Sequence, residues 1–73
     1  TADIMLANIL AGPLVELAPQ LQRMTRVDGK ICLSGILANQ AEAVMAAYRP
    51  WFDFDPVAEQ DGWVRLTGTK IRP

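Results

Sequence analysis

The chain has 73 residues, 51% of them hydrophobic, with seven basic against eight acidic side chains. That leaves room for one domain at most and builds no single-sign field for nucleic acid or an acidic membrane surface. With no His and a single Cys, a zinc site or a His-based triad is excluded. No apolar run of about 18 residues marks a transmembrane helix and no basic-then-apolar segment marks a signal, so a cytoplasmic protein is expected.

Residues Asp3 to Ile9 read as the first strand. The apolar run Ile4-Met5-Leu6-Ala7 is nearly continuous, as in parallel strands buried on both faces, and it ends in one polar side chain, Asn8. A Gly12-Pro13 step follows, and Pro13 suits the start of a helix, where no N–H bond is needed. Leu14, Leu17 and Leu21 recur at helical spacing with Ala18 beside them. Pro19 interrupts the pattern, which predicts a kink or two short helices meeting near Ala18. Arg23 and Arg26 fall near the carboxyl end, where cations suit the helix dipole.

Val27-Asp28-Gly29 reads as a turn and Lys30 to Ser34 as a second, buried strand, with Cys32 as a small core residue. Strand, helix and strand over this length make a βαβ unit. Asn39 is placed to cap a second helix, with Glu42 as the acidic partner of a capping box. Ala41, Val44, Met45 and Tyr48 form its apolar face, and Arg49-Pro50 ends it. Trp51 to Glu59 and Trp63 to Ile71 are two strand-like stretches joined by the hairpin loop Gln60-Asp61-Gly62. In the second, Trp63, Arg65, Thr67 and Thr69 alternate with Val64, Leu66 and Gly68, which predicts a strand with two different faces.

In open α/β sheets ligands bind at the loops beyond the carboxyl ends of the strands, so the lone amide of Asn8 is the sharpest candidate contact. The alternative is a turn residue whose amide satisfies local backbone groups. Ser34-Gly35 forms the second such loop, and there the simple turn is the favoured reading. Asp3 and Asp28 read as strand-start and turn residues rather than catalytic carboxylates. Trp51 and Trp63 can stack a ligand, but strand aromatics in a small domain are usually core.

These residues carry a family resemblance. Asn8-Ile9-Leu10-Ala11-Gly12-Pro13-Leu14 is similar to the Asn-containing motif of the PrmA-type methyltransferases, which act on ribosomal protein L11. The similarity continues in Glu16-Leu17-Ala18-Pro19, Leu33-Ser34-Gly35-Ile36-Leu37-Ala38 and Gln40-Ala41-Glu42. It closes with Asp55-Pro56-Val57 and Trp63-Val64-Arg65-Leu66-Thr67-Gly68, so it covers nearly the whole chain. The resemblance implies an S-adenosylmethionine-dependent enzyme that methylates amino groups, lysine or α-amino, of that ribosomal protein. It also implies that Asn8 contacts the cofactor and sits beside the incoming amine. An amide offers both donor and acceptor, and methyl transfer needs in-line positioning more than acid–base chemistry.

The resemblance further implies that residues 1–73 are the last part of such an enzyme. The start at Thr1 without an initiator Met suggests a trimmed piece. The glycine-rich cofactor loop and the ribose carboxylate have no counterpart here, since the five glycines are all isolated. The expected fold is therefore α/β: the carboxyl-terminal half of a Rossmann-like class I methyltransferase sheet, β-α-β-α-β-β with an antiparallel final hairpin. Alone, this piece is expected to be inactive and to self-associate through the unpaired edge of its first strand. The rival reading is a small non-enzymatic α/β module that binds a partner through that same edge. The sequence upstream of Thr1 discriminates between the two.

Overall fold

Parallel pairing of the first two strands sets the frame. The computed structural model describes residues 2–73. Strand β1 (Ala2–Asn8) leads into helix α1 (Ala11–Arg23), which returns the chain to β2 (Thr25–Leu37). The two strands run side by side with Met5 opposite Ile31, Ala7 opposite Leu33 and Asn8 opposite Ser34. A 3-10 turn, Ala38–Gln40, precedes α2 (Ala41–Tyr48), and three strands follow: β3 (Phe52–Phe54), β4 (Ala58–Gln60) and β5 (Trp63–Lys70). The last strand does not end the sheet. It inserts antiparallel beside β2, giving the order β1-β2-β5-β3, with β4 on the same side of β5 as β3.

The helices cover one face of this sheet. Ala7, Ile31, Leu33, Ile36, Val64, Leu66 and Phe52 meet Ala11, Leu14 and Ala18 of α1 and Val44 and Tyr48 of α2 in one buried cluster. Tyr48 ties the helices together, its hydroxyl donating to Leu14 O at 2.7 Å inside the core. Burial pushes that phenol up to about 12 from the ordinary 10, because the charged form has no water around it.

Helix α1 ends without a glycine. Thr25 Oγ1 donates to Leu21 O at 3.0 Å, and Met24 N donates to Gln20 O. The buried ammonium of Lys70, at the end of β5, donates to Gln22 O and, at 2.8 Å, to Thr25 O. A cation at the carboxyl end of a helix offsets its dipole.

Several expectations are corrected. The first strand is not buried on both faces. Met5 and Ala7 point toward the helices, but Ile4 and Leu6 are 62% and 73% exposed on the opposite face. Cys32 lies on that same face, between Leu6 and Thr67, and is only half-buried. Helix α1 is one continuous helix through Pro19. The missing N–H costs one hydrogen bond, and Pro19 itself is exposed, so the helix runs on. Arg26 lies beyond the helix and pairs with Asp3.

Two boundaries differ as well. The turn at Val27-Asp28-Gly29 is embedded inside β2. Between the pairs Ala2–Thr25 and Ile4–Lys30 the second strand carries extra residues, which loop out with Asp28 at φ 71°. The capping box is also different. Gln40 Oε1, not Glu42, reaches back to accept from Leu37 N at 3.1 Å, and Asn39 makes no cap. Glu42 instead pairs with Arg49, which holds its carboxyl below the usual range and raises the guanidinium.

The stretch Trp51 to Glu59 is two short strands rather than one. Pro56 cannot donate to a ladder. The chain therefore leaves β5 after Asp55, whose N–H reaches Thr67 O at 2.8 Å, and returns at Ala58. The hairpin loop tightens to Asp61-Gly62, at φ 54° and 81°, the two-residue turn that matches strand twist.

Candidate functional site

Asn8 stands where the parallel strands end. As the last residue of β1 it faces Ser34 in register, and its side chain belongs to the sheet face away from the helices. It is exposed. Among the described residues its amide has no hydrogen-bond partner, so local backbone groups do not account for it. Ser34 Oγ lies 3.5 Å from Ala7 O, which turns that hydroxyl back toward β1.

Beside Asn8 opens a cavity of about 530 Å³, within the size range of small-molecule sites. One wall is Asn8, Ser34 and Gly35, at the carboxyl ends of β1 and β2. The other is the β4–β5 hairpin, which contributes Glu59, Asp61, Trp63 and Arg65. Trp63 is 50% exposed, so an indole shares the cavity lining with an amide, two carboxylates and one guanidinium. The arrangement can take a ligand with an apolar body and a cationic or hydrogen-bonding end.

Gly35 does more than turn the chain. It sits in the irregular step of β2 between Leu33 and Ile36, at φ +80°. A Cβ there would lie 2.6 Å from Asn8 Oδ1. The irregular step of β2 thus closes directly on the Asn8 amide.

Of the hairpin wall only Trp63 was weighed in the sequence as a ligand contact, and there the core was favoured; Glu59, Asp61 and Arg65 were not singled out. Trp63 is corrected from core residue to cavity wall, while Trp51 packs partly buried against the core. The signal was present in the alternation of β5, which put Trp63 and Arg65 opposite the buried Val64 and Leu66. Asp3 and Asp28 lie away from the cavity, Asp3 in its pair with Arg26 and Asp28 in the β2 loop-out.

The family model described as ribosomal protein L11 methyltransferase (PrmA) matches residues 1–71. The chain belongs to the PrmA family. A ribosomal protein L11 methyltransferase of Cellvibrio japonicus is 69% identical over 70 residues, which cover 96% of this chain and 24% of that protein. The corresponding protein of Pseudomonas savastanoi pv. phaseolicola is 61% identical over 69 residues, 94% of this chain and 24% of its own length. Among solved structures, a ribosomal protein L11 methylase from Lactobacillus delbrueckii subsp. bulgaricus superposes with a TM-score of 0.84 at 31% identity. That match covers 96% of this chain and 37% of the other. The chain spans about a quarter of the length of the curated relatives it matches. Its sheet is part of a class I, Rossmann-like methyltransferase sheet, as the family resemblance implied.

Proposed function

We propose that residues 1–73 are the carboxyl-terminal part of the catalytic domain of a cytoplasmic, S-adenosylmethionine-dependent N-methyltransferase. Its acceptors are amino groups, lysine and α-amino, of ribosomal protein L11. The observation that carries this reading is the unpartnered Asn8 amide at the carboxyl end of β1, facing the cavity walled by Trp63, in a chain of the PrmA family.

The residues present fit one side of the cofactor. Asn8 offers a donor and an acceptor at the strand end, and the cavity has room for a small ligand. No glycine-rich loop accompanies them among the described residues, so the rest of the cofactor's contacts belong to the remaining length of the protein. When bound, the cofactor supplies an electrophilic methyl group on sulfur. Transfer to an amine would need the nitrogen lone pair aimed at that methyl group. The role of Asn8 is to accept a hydrogen bond from the amine N–H and so aim the lone pair along that line. Trp63 forms one apolar wall beside it, and the charges of Glu59 and Asp61 draw a basic substrate towards the site.

The test is methylation of L11 by the full-length protein, read by intact mass. The wild type should add methyl groups when S-adenosylmethionine is supplied. Asn8→Ala should slow turnover about 100-fold, the order of effect that lost positioning produces, with the melting temperature unchanged. Asn8 is exposed and outside the core, so its loss removes no packing. Wild-type turnover in Asn8→Ala would return Asn8 to a turn residue.

A further inference from the structure

We propose that Gly35 is a positioning residue for Asn8, and that the absence of a side chain at Gly35 is what lets the Asn8 amide take its place at the site. This rests on the reading of Asn8 given above.

The geometry is specific. The register Asn8–Ser34 brings the end of β1 against the irregular step of β2. A Cβ on Gly35 would stand 2.6 Å from Asn8 Oδ1 and 3.4 Å from Ile9 O. The first distance is far inside the separation of about 3.5 Å at which non-bonded heavy atoms rest. No hydrogen bond within the described residues holds the Asn8 amide, so its orientation is set by the walls beside it, and Gly35 is one of them. An added methyl group must rotate the amide or push the strand end away.

Positive φ alone does not explain this glycine. Gly62, in the β4–β5 turn, has nearly the same φ of +81° and nothing within 4 Å of where a Cβ would lie. Both positions strain an L side chain, but only at Gly35 does the side chain meet the candidate ligand contact. Substituting the two glycines separates backbone strain from displacement of Asn8.

The experiment uses the full-length protein and four variants: Asn8→Ala, Gly35→Ala, Gly62→Ala and the double variant Asn8→Ala/Gly35→Ala. The readouts are kcat and KM for L11 methylation, and the melting temperature. Gly35→Ala should lower kcat by about 10-fold or more, as expected for a displacement of the order of 1 Å, with a smaller change in KM. Gly62→Ala should lower the melting temperature by backbone strain alone, and Gly35→Ala should lower it at least as much, because it adds the collision with Asn8. In the double variant the collision is gone, so its kcat should match Asn8→Ala and its melting temperature should exceed that of Gly35→Ala. Such non-additivity is the mark of one residue acting through another.

Wild-type kcat in Gly35→Ala would overturn the proposal. So would a double variant slowed by the full product of the two single effects. Should Gly35→Ala fold poorly, the double variant still decides: a kcat equal to that of Asn8→Ala supports the proposal, and a kcat well below it overturns the proposal. Wild-type turnover in Asn8→Ala with slow turnover in Gly35→Ala would instead remove the role of Asn8 itself, and with it the proposed route of action.

Discussion

At the scale of the residue, burial decides what a side chain can do. Tyr48 is the only tyrosine in the chain and is fully buried, with its hydroxyl bonded to Leu14 O. The folded state holds the phenol neutral to about 12, above the ordinary 10. A raised pKa contributes stability that is complete below the unfolded value and is lost as pH rises through the folded one. Stability should therefore fall between pH 10 and about 12, and Tyr48→Phe should abolish that part of the fall. Ultraviolet titration of tyrosinate in the 73-residue chain checks it, since no second tyrosine contributes. A midpoint near the ordinary 10 while the chain is still folded would contradict the buried placement of Tyr48.

At the scale of the element, ends and edges carry the information that periodicity does not. The buried faces of both helices were legible: Leu14 and Ala18 in α1, and Ala41, Val44 and Tyr48 in α2, fall at helical spacing and are buried. The break at Asp55-Pro56-Val57 had its signal in Pro56, which removes a donor inside a strand pattern, yet Trp51 to Glu59 read as one stretch. The embedding of Val27-Asp28-Gly29 in β2 was not legible, since it depends on which residues of β1 pair with Thr25 and Lys30. Nor was the end of α1. No local pattern says that Lys70, far along the chain, supplies its ammonium to Gln22 O and Thr25 O.

That contact makes a stability prediction. Lys70→Met keeps the aliphatic stem but leaves buried carbonyls without their donor. The cost should be on the order of 1–3 kcal/mol, read as a lower denaturant midpoint. An unchanged midpoint would mean that the ammonium contributes nothing to the end of the helix.

At the scale of the whole molecule, one face of the sheet is packed and the other is bare. The helices cover Ile31, Leu33 and Leu66, while Ile4, Leu6 and Trp63 stand exposed on the far side. Local patterning reported that these residues are apolar but not what lies over them, which is why Cys32 and Trp63 read as core. β1 is also a terminal strand of the sheet, with an unpaired edge. Exposed apolar edges recruit further strands. The isolated chain should therefore self-associate in sedimentation runs at rising concentration, and Leu6→Lys, a charge on the open face of that edge, should reduce the association. A wild-type chain that stays monomeric throughout would contradict this.

The same half-covered architecture underlies the central claim, that this chain supplies one wall of a cofactor site completed by the rest of the protein. Calorimetric titration with S-adenosylmethionine tests it most directly, using the 73-residue chain and the full-length protein side by side. The full-length protein should bind the cofactor, and the chain alone, with Asn8 and the hairpin wall but no glycine-rich loop, should show no binding at micromolar concentrations. Micromolar binding by the chain alone would contradict the account and place the whole cofactor site within these residues.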